Sequence, residues 1–222
     1  MTESTVQGYA AADGGTDNVQ VDGGWNRPDA TVVEAFASHS TANIGDAAGR
    51  LGMPDGGLKP IWSGAKAAGT ALPVLVTAGD DLAVIEAVSQ IRPGDVIVIN
   101  GFGYTGRAVM GDILSQMFAA KGATAAIVDG AVRDAAEIES QGFPVWARAV
   151  TPAGPWKNGP GTVGKAVAIG GVVVHPGDII VADGDGIVCV PRADADRVLA
   201  DLKRVVEFER QMQQANQEVI DP

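Results

Sequence analysis

GDILSQMFAAKGATAAIVDGAVRDAAE, residues 111–137, passes from helix to strand and back to helix in one short span. Asp112–Ala120 is predicted helical, Ala123–Val128 a strand and Asp134–Gln141 a second helix. The strand is apolar with little alternation, the pattern of a strand covered on both faces. The same rhythm extends upstream. Pro73–Thr77 (PVLVT) reads as a buried strand, and Asp80–Ile91 as a helix with Leu82, Ile85, Ala87 and Val88 inward, its start favoured by paired acids. Arg92-Pro93-Gly94-Asp95 is a turn, and Val96–Asn100 a strand leading into the glycine-rich Gly101–Gly106. Ala30 to Gly52 reads as two helical pieces with Gly52 as the stop.

Downstream the character changes. Val167–Ile169, Gly171–Val174, Asp178–Ala182 and Gly186–Val190 are short β segments between Gly and Pro turns. Pro93-Gly94-Asp95-Val96-Ile97-Val98 is echoed by Pro176-Gly177-Asp178-Ile179-Ile180-Val181, either as a duplicated unit or as a turn that recurs where strands begin. A last helix runs from about Ala193 to Gln217, with Val198, Leu199, Leu202, Val205, Val206 and Met212 on one stripe. Residues 1–25 lack periodicity and read as a flexible leader ending where Trp25 docks; 26–222 read as a single domain. The sum is an α/β chain with central βαβ units and a β-rich second half.

The chain has 222 residues, 46% apolar and 19% charged, which allows a substantial core and excludes general disorder. A net charge of −11 argues against nucleic acid as a partner and gives weight to any arginine in a pocket. The single cysteine, Cys189, lies in an apolar run, so no disulfide forms within the chain; it reads as a buried hydrophobe in a reducing compartment. No stretch approaches 18 uninterrupted apolar residues, and Met1-Thr2-Glu3-Ser4 opens no secretory pattern. A cytoplasmic protein away from membranes is expected.

Few groups suit catalysis. His39 and His175 are far apart and have no metal-motif spacing with Cys189. Gly101-Phe102-Gly103-Tyr104-Thr105-Gly106 matches the dinucleotide pattern after a strand, but Gly111 interrupts the helix that should follow. Asp183 and Asp185 resemble a calcium loop without its spacing and read better as a hairpin turn, while His175, Trp146 and Trp156 read as structural. The richer set is Gly111-Asp112-Ile113-Leu114 with Arg133-Asp134. A helix start presents unpaired amides to a carboxylate, an arginine after a strand holds anionic oxygens, and an aspartate ligates a hard cation. From spacing alone, a capping aspartate beside a surface arginine is the competing reading.

GDILSQMFAAKGATAAIVDGAVRDAAEI, with the later GGVVVHPGDIIVADGDGIVCVPR, resembles the family of 4-hydroxy-4-methyl-2-oxoglutarate aldolases and the regulator of ribonuclease activity A, over roughly Ala30 to Gln217. The family's spacing from Gly111 to Arg133-Asp134 is present, and Glu137 completes its Arg-Asp-x-x-acid pattern. The resemblance implies a swivelling β/β/α domain assembled as homotrimers or homohexamers, with sites between subunits. It implies that the amides of Gly111, Asp112, Ile113 and Leu114 cradle a pyruvate carboxylate. Arg133 would bind the oxo-acid end, Asp134 would ligate Mg²⁺ or Mn²⁺, and Asp112 would order a water. Glu207 or Glu209 of an adjacent subunit would complete the site. The family commonly has Gly-Glu-Leu-Leu where this chain has Gly-Asp-Ile-Leu, a shorter acid at Asp112.

The activity implied is class II aldol cleavage of 4-hydroxy-2-oxo acids in aromatic degradation, with oxaloacetate decarboxylation alongside. The alternative is a non-catalytic regulator of ribonuclease activity. Aldol cleavage needs an electron sink, either a lysine Schiff base or a Lewis-acid metal. None of Lys59, Lys66, Lys121, Lys157, Lys165 and Lys203 lies in an apolar run that would depress its pKa, so the metal route is expected.

Overall fold

A computed structural model describes residues 18–220. Its centre is four parallel strands in sequence order: β3 (Ala67–Val76), β4 (Asp95–Ala108), β5 (Ala125–Val132) and β6 (Val145–Val150), with the short β2 (Lys59–Pro60) antiparallel to β6. On β5 the side chains alternate between two cores. Ala126 and Val128 join Leu72, Ile97 and Phe118 on one face, whereas Ala125 and Ile127 join Val98, Trp146 and Ile180 on the other. Both faces are therefore dry, which is why the strand shows no polar alternation in sequence. Each large aliphatic side chain buried this way stabilises the fold by about 1.5–3 kcal/mol.

The first face is covered by helices α3 (Leu82–Ala87), α4 (Asp112–Ala120) and α5 (Ala135–Ser140). The second is covered by the two-stranded sheet of β8 (Val167–Ile169) and β9 (Val172–Val174), with β10 (Ile179–Ala182) and β11 (Ile187–Val190). β10 pairs antiparallel with β3 and places Ile179 and Val181 against a third core. That core holds Phe36 of α1 (Ala30–Ala37), Ile44 of α2 (Thr41–Ala47), and Val198 and Leu202 of α6 (Ala195–Ile220). Only the first part of the expected α6 stripe is inward: Val198 and Leu202 are buried, whereas Met212 is 48% exposed. No helix among the described residues is long and apolar enough to cross a membrane.

Four expectations are corrected. Val19–Val21, placed in the leader, forms β1 and pairs parallel with β7 (Gly161–Val163); residues 1–17 lie outside the described residues. Trp25 packs on the first core beneath the Arg27 guanidinium, 4.0 Å from the ring centroid. The second N-terminal helix ends at Ala47, not at Gly52. Gly52 instead accepts the Cys189 amide at 2.8 Å, and a Cβ there would stand 2.3 Å from the Cys189 carbonyl oxygen. The 80–91 helix stops at Ala87, with a 3₁₀ turn at Val88–Gln90.

The fourth correction matters most for function. The strand expected to end at Asn100 runs on through Gly101–Gly106, which form the second half of β4 and cross two register shifts against β5. Phe102 takes φ +60° and Gly103 φ +66° there, with the Phe102 amide donating to the Asn100 side chain at 2.7 Å. A bulged strand turns no ring of amides toward a phosphate, so the glycine pattern makes no dinucleotide cradle. Its effect is to carry Arg107 and Ala108 to the same end of the sheet as Arg133.

Candidate active site

The site forms where β4 and β5 end. The Val109 amide donates to Ala131 O at 2.9 Å and the Arg133 amide to Met110 O at 3.0 Å, which places the start of α4 against the Arg133-Asp134 pair. Arg133 Nε lies 3.2 Å from Asp134 Oδ2, and the Asp112 amide donates to the same oxygen at 3.3 Å. The two side chains thus face each other at the helix start. Asp134 adopts φ +57°, ψ +42°, a left-handed conformation costing a non-glycine residue about 1–2 kcal/mol. Retaining it at α5's N-cap aims the carboxylate back at Gly111 instead of capping its own helix, where it makes no side-chain hydrogen bond.

Gly111 is required by space and not by backbone freedom. Its φ of −145° suits any residue, but an added Cβ would lie 2.4 Å from Asp134 Oδ2 and 3.0 Å from Arg133 Nε. Beyond it, the amides of Ile113 and Leu114 open a nine-residue helix and have no intrahelical acceptor. They border a small, partly open pocket lined by Asp81, Met110, Gly111, Ile113, Leu114, Arg133 and Pro155. The pocket combines a guanidinium, a helix start and a carboxylate-bearing neighbour.

The structure adds residues that the sequence reading passed over. Asp81, read as a helix-favouring acid, is buried in the pocket wall and paired with Lys157 at 3.2 Å. Burial pushes its carboxyl up to about 6, against the opposing pull of Lys157 and the weaker one of Arg133. Pro155 lines the same pocket, and its chain neighbours are tied to the surrounding strands. Ala153 O accepts the Ala108 amide at 2.8 Å, and a Cβ on Gly154 would stand 3.2 Å from Arg133 Nη1. Trp156 donates its amide to Gly79 O at 2.9 Å. A lysine isolated in a Gly/Pro-rich stretch offers no apolar periodicity, so only the fold could bring Lys157 to Asp81.

Other expected residues fall less centrally. Asp112 is half-buried at the α4 start, its carboxylate without a hydrogen bond among the described residues. Glu137 is exposed on α5 and does not line the pocket. Glu207 is exposed on α6 and held by Arg210 and Gln211, whose hydrogen bonds lower it to about 2; Glu209 accepts from Asn43 at 2.8 Å. Neither lines the pocket of its own chain. Of the two tryptophans expected in core or interface, Trp146 is fully buried and Trp156 is 55% exposed in the single chain. Asp183 accepts from the Thr41 and Asp185 amides, as a turn residue does. The buried Cys189 thiol is shifted upward by desolvation.

A cation held here would rely on few protein groups. Among the described residues no three His, Cys, Asp or Glu side chains cluster as a ligand set. Asp134 Oδ1 accepts no hydrogen bond among the described residues, and its side chain is one-third exposed. A single partly exposed carboxylate suits a hard cation that keeps most of its waters.

Residues 41–189 match the model of the RraA-like family, Aldolase/RraA. A protein of Halalkalibacterium halodurans named putative 4-hydroxy-4-methyl-2-oxoglutarate aldolase is 36% identical over 172 residues, spanning 78% of this chain and 82% of that one. Streptomyces coelicolor RraAS2, described as an unusual member of the RNase ES inhibitor RraA protein family, superimposes with a TM-score of 0.76 at 30% identity, covering 85% of this chain and 98% of the other. An uncharacterized protein of Pseudomonas syringae pv. tomato does so with a TM-score of 0.77 at 26% identity, covering 87% and 96%.

Proposed function

The chain belongs to the RraA-like family, and we propose that within it the protein is a divalent-metal-dependent lyase cleaving 4-hydroxy-2-oxo acids to pyruvate. The observation that carries this reading is the convergence of Arg133, Asp134 and the α4 start on the space left by the missing Gly111 side chain. A non-catalytic binding surface has no use for a left-handed aspartate held against an arginine beside unpaired amides.

In this reading the Ile113 and Leu114 amides bind the substrate carboxylate, and Arg133 binds the 2-oxo oxygen. Asp134 would hold Mg²⁺ or Mn²⁺, which when bound supplies Lewis acidity toward that oxygen. Cleavage of the C3–C4 bond sends its electron pair into an enolate, and the positive charge of Arg133 stabilises the developing negative charge. The C4 hydroxyl gives up its proton to a water ordered by Asp112 and Arg133, leaving a carbonyl on the departing fragment. Protonation at C3 then completes pyruvate. Oxaloacetate reaches the same enolate by losing CO₂, so decarboxylation accompanies the main activity. A trimer or hexamer belongs to the proposal, bringing Glu207 or Glu209 of a neighbouring subunit toward the site; light scattering would give the assembly size.

The test is pyruvate release from 4-hydroxy-4-methyl-2-oxoglutarate and from oxaloacetate, followed with a coupled dehydrogenase. Activity should vanish in EDTA and return with excess Mg²⁺ or Mn²⁺. Undiminished turnover in EDTA would overturn the metal route. An inactive wild-type protein would favour the second reading, a regulator of an RNA-degrading enzyme, which rests on the structural likeness to the RNase ES inhibitor relative.

A further inference from the structure

Arg107 differs from Arg27, Arg133 and Arg148, each of which is paired with a carboxylate: among the described residues it has no acidic partner. Its guanidinium is nevertheless fixed. Cζ lies 4.0 Å from the centroid of the Trp156 ring, and Nη1 donates to Gly154 O at 2.6 Å. Its stem packs against Gly79, where an added Cβ would stand 3.2 Å from Arg107 Cβ and 3.3 Å from Cδ. A half-buried cation fixed in place in a chain of net charge −11, without a carboxylate partner among the described residues, is suited to receive an anion.

Its place relative to the pocket indicates which anion. Gly154 separates the two arginines: its α-carbon faces Arg133 Nη1 while its carbonyl accepts from Arg107. The next residue, Pro155, lines the pocket, and the one after it carries the indole under Arg107. A substrate whose oxo-acid end occupies Arg133 therefore extends along residues 154–156 toward Arg107. We propose that Arg107, held by Trp156 and Gly154, is a specificity-determining residue that receives a second carboxylate at the far end of a dicarboxylic 2-oxo acid. This deepens the lyase reading and rests on it for the placement of the first carboxylate at Arg133. Asp81 and Lys157 pair with each other at 3.2 Å, whereas Arg107 has no carboxylate partner among the described residues.

The experiment compares 2-oxoglutarate with 2-oxopentanoate, the same chain with a methyl group in place of the far carboxylate, by calorimetric titration in Mg²⁺. Wild-type protein should prefer the dicarboxylate, and Arg107→Gln should cut that preference by about thirtyfold, since a hydrogen-bonded charge contact is lost. Arg107→Lys should restore only part of it, because a point charge replaces a two-pronged donor. Trp156→Ala should reduce it severalfold by freeing the guanidinium. A merely structural role would weaken both ligands alike. A preference unchanged within threefold in Arg107→Gln, or absent from the wild type, overturns the assignment. The lyase reading is tested separately by exchange of the pyruvate methyl protons in D₂O. An Arg107-dependent preference without that exchange would sink the lyase and leave the carboxylate receptor standing.

Discussion

Gly111→Ala adds one methyl group at the centre of the proposed site. The new Cβ would fall 2.4 Å from Asp134 Oδ2 and 3.0 Å from both Arg133 Cγ and Nε, so at least one of the two functional groups must move. The backbone does not resist the change, since φ −145°, ψ −165° is open to alanine. Nor is the surrounding core the obstacle: Arg133 and Asp134 are each one-third exposed and have room to swing outward. Overpacking in a rigid core costs about 1–3 kcal/mol, and here the mobile neighbours should hold the stability loss to about 1 kcal/mol. Catalysis has no such escape. Displacing one group that stabilises the enolate oxygen removes about 2.7–4 kcal/mol of barrier lowering, a fall in kcat of about 10²–10³. The assay pairs coupled pyruvate release with a urea melt. Gly184→Ala serves as the control, because a Cβ there meets nothing within 4 Å. An alanine variant that melts like wild type and keeps more than a third of its kcat would refute the placement of Arg133 and Asp134 at the reacting centre.

Asp134→Asn keeps the shape and removes the charge, so metal-stimulated pyruvate release should fall at least about 100-fold, and Mg²⁺ should no longer raise the melting temperature. Arg27→Met deserts a fully buried Asp95 carboxylate that takes two 2.7 Å hydrogen bonds from the guanidinium, and unfolding in urea should become about 3 kcal/mol easier. A loss below 1 kcal/mol would show that the Arg92 amide alone satisfies Asp95. Asp81 has its carboxyl raised to about 6 by burial, so the native state binds more protons than the unfolded chain between about pH 4 and 6. Its contribution therefore falls as pH climbs through that window and is level above it. Asp81→Asn should flatten this part of the stability–pH profile relative to wild type, and identical profiles would count against the burial argument.

What the sequence disclosed and what it withheld divide along physical lines. α4 appears at its expected bounds, Asp112–Ala120, because its helix-forming run is closed off by Lys121-Gly122, with Gly122 at φ +89°. The Arg133–Asp134–Gly111 grouping could be named because the family resemblance marks it, whereas local spacing left a capping aspartate beside a surface arginine as the competing reading. Asp81, Lys157 and Arg107 could not, since each takes its place through tertiary pairing: Lys157 on Asp81, and Arg107 on Gly154 and Trp156. Arg107 arrives only because β4 runs on past Asn100, where the sequence pattern ended the strand, through the glycines to Ala108. Those glycines misled for a definite reason. A glycine-rich run after a strand signals positive φ, but positive φ at Phe102 and Gly103 serves a bulge as well as a phosphate loop, and only the pairing of Tyr104 with Gly130 distinguishes them.

The repeated Pro-Gly-Asp turn shows how far such local chemistry reaches. Gly94 and Gly177 share φ +89°, and in each turn the aspartate amide closes onto the carbonyl three residues back. Each aspartate also accepts an amide in return, Asp95 from Arg92 at 2.9 Å and Asp178 from His175 at 2.8 Å. Both turns deliver a strand to the same residue of β3, since Thr70 faces Asp95 on one side and Ile179 on the other. The likeness ends there. β4 runs parallel to β3 and passes on to a helix, whereas β10 runs antiparallel and folds back as a hairpin with β11. A buried carboxylate that caps its own turn solves the same problem twice, starting a strand deep inside the sheet without an orphaned amide. Recurrence of that solution explains the echo without a duplicated unit. It also explains why only the first copy leads to the site: the parallel strand must end at the helix start where Arg133 lies, and the antiparallel one turns back before reaching it.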